Sequence, residues 1–164
     1  MEEGVGSMLS SMKKTFGFPD RDLRTYSPLT LAYIGDSIYD LVIRTLVVES
    51  GNCPPQKLHK KASSLVKAQA QAEMIERLLP FLTEEEQQIY RRGRNAKSYT
   101  MAKNATMHDY RKATGLEAVM GYLYLKDETE RLLELVKIGL DGAAAQEDAC
   151  KSTKDTEREN EHEI

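Results

Sequence analysis

The chain has 164 residues, 40% of them hydrophobic and 30% charged, with no tryptophan and a formal net charge of −3. That length suits one domain with a core of its own, and no apolar run reaches the roughly 18 residues that a membrane-spanning helix needs. The opening MEEGVGSMLSSMKK lacks the apolar stretch of a signal peptide, and Cys53 and Cys150 lack metal-ligand spacing, so the expectation is a cytoplasmic protein with reduced thiols and no membrane contact.

Residues 1–25 mix Gly, Ser, Lys and acids without sustained period and read as a loosely ordered lead-in. Ser27-Pro28 reads as an N-cap followed by proline at the first helical position. The helix so opened is predicted to run to Glu49, with Leu31, Ile34, Ile38, Leu41, Val42 and Leu46 on its apolar face and Gly51 ending it. Pro54-Pro55 starts a second helix, halted near Pro80, with Leu58, Ala62, Leu65, Ala72, Ile75 and Leu79 at helical spacing. Thr83 with Glu86 forms a capping box for a third, which should fade near Arg92-Gly93. Residues 93–107 are small, polar and basic and read as an extended loop. A helix from Thr106 or Met107 carries Leu116, Val119, Met120, Leu123 and Tyr124. After a break at Lys126-Asp127, a last helix offers Leu132, Leu135, Val136 and Leu140. No strand-like alternation persists, so the fold class is all-α. The domain division is a lead-in (1–25), a helical domain (26–141) and an acidic tail (142–164) whose composition is that of a disordered segment.

The net charge hides a partition. Residues 142–164 hold seven acids against three bases, which leaves residues 1–141 at +1. Within residues 91–112, Arg91, Arg92, Arg94, Lys97, Lys103, Arg111 and Lys112 face Asp109 alone, a local +6 that a polyanion would feel more than the total.

Two acids interrupt apolar helices: Asp36 in LAYIGDSIYDLVI and Glu117 in GLEAVMGYLYL. A mid-helix glycine costs up to about 1 kcal/mol relative to alanine, so Gly35, Gly115 and Gly121 call for a packing reason. A close crossing of the two helices would supply it, and would bring the carboxylates together. Apposed carboxylates in a partly dry site need a cation between them, and magnesium held by oxygens and water serves phosphodiester hydrolysis. An ordinary buried salt bridge or helix cap for each acid stands level with that reading on the residues alone. Asp40, one turn after Asp36, reads as a surface carboxylate, and Tyr33, Tyr39, Tyr122 and Tyr124 read as core or interface. His59, His108 and His162 have no constellation that would give them chemistry.

LAYIGDSIYDLVIR resembles the signature helix of ribonuclease III enzymes, and ATGLEAVMGYLYL resembles the family's second signature. RRGRNAKS and YRKATGLEAV are similar to the Mini-ribonuclease III branch, which lacks a double-stranded-RNA-binding domain; the resemblance spans Tyr26 to Asp141. It implies a ribonuclease III-like helical bundle acting as a homodimer on double-stranded RNA. It further implies maturation of large-subunit (23S) ribosomal RNA precursor, with 5′-phosphate and 3′-hydroxyl ends. Asp36 and Glu117 match the family's catalytic metal-ligating carboxylates, for Mg2+ with Mn2+ as a substitute. Arg91, Arg92, Arg94, Asn95 and Lys97 match the branch's RNA-contacting loop. Further carboxylates of the larger members would fall at Leu29, Ala32 and Thr114, and their absence here fits the shorter branch. Two other readings compete: a catalytically silent RNA-binding module on the same fold, and a helical protein-binding scaffold.

Overall fold

Ser27 caps the first long helix as the sequence predicts, its side chain accepting from the Thr30 amide with Pro28 at the first helical position. In the computed structural model, which describes residues 7–97 and 106–160 (145–160 by backbone alone), seven α-helices follow one another. They are α1 (Met8–Phe16), α2 (Pro28–Glu49), α3 (Pro55–Val66), α4 (Ala68–Leu78), α5 (Glu84–Asn95), α6 (Met107–Leu125) and α7 (Thr129–Asn160). Single turns of 3-10 helix lie at Leu23–Thr25 and Leu79–Phe81, and no strand occurs among the described residues. None of the described helices is long and apolar enough to cross a membrane.

The bundle is organised around α6. From Ala113 to Leu123 every residue is buried except Glu117, so this helix runs through the core with a single side chain reaching outward. α2, α4 and α5 pack around it, and α7 closes on α4 and α6. Leu132, Leu135 and Val136 of α7 are buried as predicted, with Leu140 half-buried. The break after α6 is real: Asp127 takes a positive φ of 62°.

Six local expectations need correction. The lead-in is not loose throughout, because α1 forms there, capped by Ser7 and docked by its buried Leu9. The second helix is two: Lys67 adopts extended backbone (ψ 153°) and separates α3 from α4. The apolar positions 58, 62 and 65 thereby belong to a different axis from 72, 75 and 79. α5 does not fade at Gly93 but continues to Asn95, so Arg91, Arg92, Arg94 and Asn95 are helical and Lys97 follows just beyond. The capping box is also only half made there. Thr83 accepts from the Glu86 amide, but the Glu86 carboxylate turns inward to a two-pronged bond with Arg131 of α7. The middle of the expected basic loop, residues 98–105 with Lys103, lies outside the described residues.

A fifth correction is the end of α7. Its backbone stays helical to Asn160, where a disordered tail was expected from Gly142. Ala143, Ala144, Ala145, Gln146 and Glu147 are strong helix formers, which can extend an existing helix without an apolar face.

The buried face of α2 also differs from the predicted stripe. Leu31, Ala32, Gly35, Tyr39, Ile43 and Val47 are buried, whereas Ile34, Ile38 and Val42 are half-buried and Leu41, Leu46 and Val48 are exposed. α2 is apolar nearly all round, so periodicity could not select the stripe. The small residues Ala32 and Gly35 select it by allowing α6 close.

Candidate active site

The α2–α6 crossing is backbone against backbone. A Cβ placed on Gly35 would lie 1.7 Å from the Glu117 carbonyl oxygen, and one on Gly121 would lie 1.9 Å from the Leu31 carbonyl oxygen. Any side chain at either position would drive the helices apart. Gly115 has a different employment from the one its sequence position suggests, since it receives the Tyr90 ring of α5 rather than α2.

The crossing brings Asp36 and Glu117 side by side at the edge of an open cleft of about 620 Å³. Asp36 is exposed, while Glu117 is half-buried beside it. Burial first, and then the neighbouring Asp36 charge, push the Glu117 carboxyl up to about 8. The two carboxyls are close enough to share a hydrogen bond. A raised Glu117 carboxyl beside the Asp36 carboxyl makes an oxygen-rich site that a divalent cation would relieve, so the residues present fit a hard metal ion. Among the described residues no cluster of three or more His, Cys, Asp or Glu side chains is placed to hold a metal, so water or substrate oxygens would complete the coordination.

Leu29 and Ala32 of α2 and Thr114 of α6 line the same cleft. These are the positions at which the resemblance noted above would set further carboxylates. Thr114 spends its hydroxyl on the Tyr110 carbonyl at 2.9 Å. Asp40 points elsewhere and pairs with Arg44 one turn on, at 2.8 Å on the surface.

Further polar residues that the sequence does not single out share the cleft, among them Lys67 and Gln71. A helix drawn straight through Lys67 gives no reason to place either of them near Asp36. The break at Lys67 does so, and its signal is faint, being only the shift in apolar phase between Leu65 and Ala72. Lys67 is exposed, whereas Gln71 is buried, its Nε2 donating to the Val66 carbonyl at 2.9 Å. Gln71 Oε1 has no hydrogen-bond partner among the described residues.

Arg91, Arg92, Arg94, Asn95 and Lys97 are not part of the cleft. Arg91 and Arg94 line a separate shallow groove with Leu79, Gln87 and Tyr90. Arg91 and Arg92 are exposed, and Arg94 lies over the Tyr90 ring at 5.4 Å from its centre. Asn95 and Lys97 are exposed at the end of α5. Gly93 presses this helix end against Ala118, Gly115 and Thr114 of α6, so the arginines flank the segment that carries Glu117. Lys112, counted in the local +6, is tied to Glu76 of α4 and faces the protein.

Comparison with known proteins agrees with this geometry. The family described as Ribonuclease III domain matches residues 29–128, which takes in both carboxylates and α5. Mini-ribonuclease 3 of Clostridium tetani is 49% identical over 122 residues, covering 74% of this chain and 81% of its own. The Mini-ribonuclease 3 of a Thermoanaerobacter species is 45% identical over 134 residues, covering 82% and 94%. The crystal structure of a Fusobacterium nucleatum protein superposes with a TM-score of 0.67 at 32% identity, covering 72% of this chain and 96% of that one. The chain is an endoribonuclease of the ribonuclease III family and belongs to its Mini-ribonuclease 3 branch.

Proposed function

We propose that the protein cleaves double-stranded RNA with the aid of Mg2+, as a cytoplasmic homodimer that matures 23S ribosomal RNA precursor and leaves 5′-phosphate and 3′-hydroxyl ends. The observation that carries this reading is the pairing of Asp36 with Glu117 at the wall of an open cleft, in a chain of this family. When bound, the ion would lower the pKa of a water and offset negative charge on the phosphate. Asp36 presents its oxygens from the exposed side and Glu117 from the buried side, and Glu117 gives up its proton to do so. Lys67, exposed on the cleft, places a cation where the phosphate backbone would pass. Arg91, Arg92, Arg94, Asn95 and Lys97 stand outside the cleft, where phosphate contacts fix position on a duplex without reading its sequence.

A single cleft faces one strand. Leu41, Leu46 and Val48 leave apolar surface uncovered on α2, the helix that bears Asp36, and a two-fold partner there would supply the second cleft. Incubation of the purified protein with end-labelled duplex RNA, with Mg2+ or with chelator, tests the reading. Cleavage of both strands only with Mg2+, leaving staggered 3′ overhangs, and a dimer by light scattering are expected. Duplex binding without cutting would instead indicate a silent RNA-binding module, and neither binding nor cutting a protein-binding scaffold.

A further inference from the structure

We propose that Gln71 is the positioning residue for Glu117: its carboxamide, anchored at the α3–α4 break, holds the Glu117 carboxylate toward Asp36 and offers Oε1 as the acceptor for a water that accompanies the cation. The inference rests on the reading of Asp36 and Glu117 as a divalent-cation site.

Gln71 is 2% exposed, an unusual place for a long polar side chain. Its orientation is fixed by what it touches. Nε2 donates to the carbonyl of Val66, the last residue of α3, at 2.9 Å. A carbonyl can only accept, so the amide cannot turn over without losing that bond. The same amide shares the cleft wall with the Glu117 carboxyl and with Asp36. Gln71 thus joins the break in the α3–α4 segment to the cleft wall that carries Glu117.

The remaining atom is the informative one. Oε1 is buried and has no hydrogen-bond partner among the described residues. A buried acceptor left unpaired is destabilising, and leucine or methionine would fill the same volume without that penalty. Gln71 lines the cleft that holds Asp36 and Glu117, so a water entering with a cation could donate to Oε1. Groups that orient a metal-ligating side chain in this way tune affinity without touching the metal.

Titration of Mn2+ into Gln71→Met and Gln71→Leu by calorimetry tests the proposal, beside the unsubstituted protein and Asp36→Asn. The variants should bind Mn2+ about 10-fold more weakly or worse. Their KM for duplex RNA should stay unchanged while kcat falls. A merely structural glutamine would lower the melting temperature and leave the Mn2+ affinity of the folded protein alone. In the unsubstituted protein, the Gln71 side-chain amide resonance should move on addition of Mg2+ and saturate with the ion. Mn2+ affinity within twofold of the parent in either folded variant, or an amide resonance unmoved at saturating Mg2+, would overturn the assignment. If Asp36→Asn loses Mn2+ while Gln71→Met keeps it, this inference alone fails. If the unsubstituted protein binds no Mn2+, the cation-site reading fails with it.

Discussion

The α2–α6 crossing and the far end of α5 both carry charge for function, and they are built on opposite terms. At the crossing, glycines remove volume so that two backbones touch, and Glu117 is held where burial and the neighbouring Asp36 oppose its charge. At the end of α5, arginines stay in water on the rim of a helix, where each charge is inexpensive and each contact is weak. The first arrangement makes a site whose parts act together. The second makes a surface whose parts add up. Substitution at the crossing should therefore abolish, and substitution on α5 should only weaken.

The largest expected effect is on chemistry. Asp36→Asn or Glu117→Gln should reduce Mg2+-dependent cleavage to background while duplex binding and helical content persist. Substantial turnover by either purified variant would mean that the crossing is not the reaction site. Next comes Gly35→Ala, whose new methyl would meet the Glu117 carbonyl at 1.7 Å. A loss of at least about 3 kcal/mol in urea denaturation is expected, at the upper end of overpacking effects. A loss under about 1 kcal/mol would show that the helices part easily and that the contrast with α5 is overstated.

A third test uses pH on the metal-free protein. Glu117 ionises near 8 in the folded state against an ordinary value of 4.5. A raised carboxyl favours the folded state at low pH, and that contribution is lost as pH rises from the ordinary value through 8. Glu117→Gln removes the dependence. It should stabilise the protein at pH 8.5 by an amount on the order of 2 kcal/mol, allowing for screening by cleft water, and change little at pH 4. Thermal melts at the two pH values decide this, and equal shifts at both would count against a buried, repelled carboxyl. The smallest effect belongs to α5. Replacing Arg91, Arg92 and Arg94 by alanine should flatten the salt dependence of duplex binding by roughly 0.7–0.9 in log–log slope per lost phosphate contact. An unchanged slope would place RNA elsewhere.

The legibility of the two regions differs in the same way. Gly35 and Gly121 beside Asp36 and Glu117 announce the crossing, because a helix tolerates such residues only for a reason that another helix provides. The cleft's other wall was not legible. Lys67 belongs by local sequence to a continuous helix, and only tertiary packing turns it into a break that sends Gln71 toward Glu117. The stripe of α2 was misread for a related cause, since a helix apolar on every side leaves its orientation to whichever neighbour fits closest. α5 was cut short at Gly93 because glycine commonly ends helices, whereas here its missing side chain makes room for Ala118 and Gly115 of α6. Glu86 likewise has the sequence of a capping acid, and its capture by Arg131 depends on a helix 45 residues away.

The contact between Gly35 and Gly121 also bears on how the molecule opens. Two backbones seated directly on one another have no side chain that can shift by degrees, so the pair is either closed or fully apart. Amide hydrogens along the middle of α6, enclosed by α2, α4 and α5, then have no route to solvent through partial opening and exchange only when the whole domain unfolds. α1 and the exposed end of α5 lie on the periphery and can fray long before that. The carboxylate pair is accordingly written into the last part of the protein to come undone, and its geometry endures for as long as the fold does.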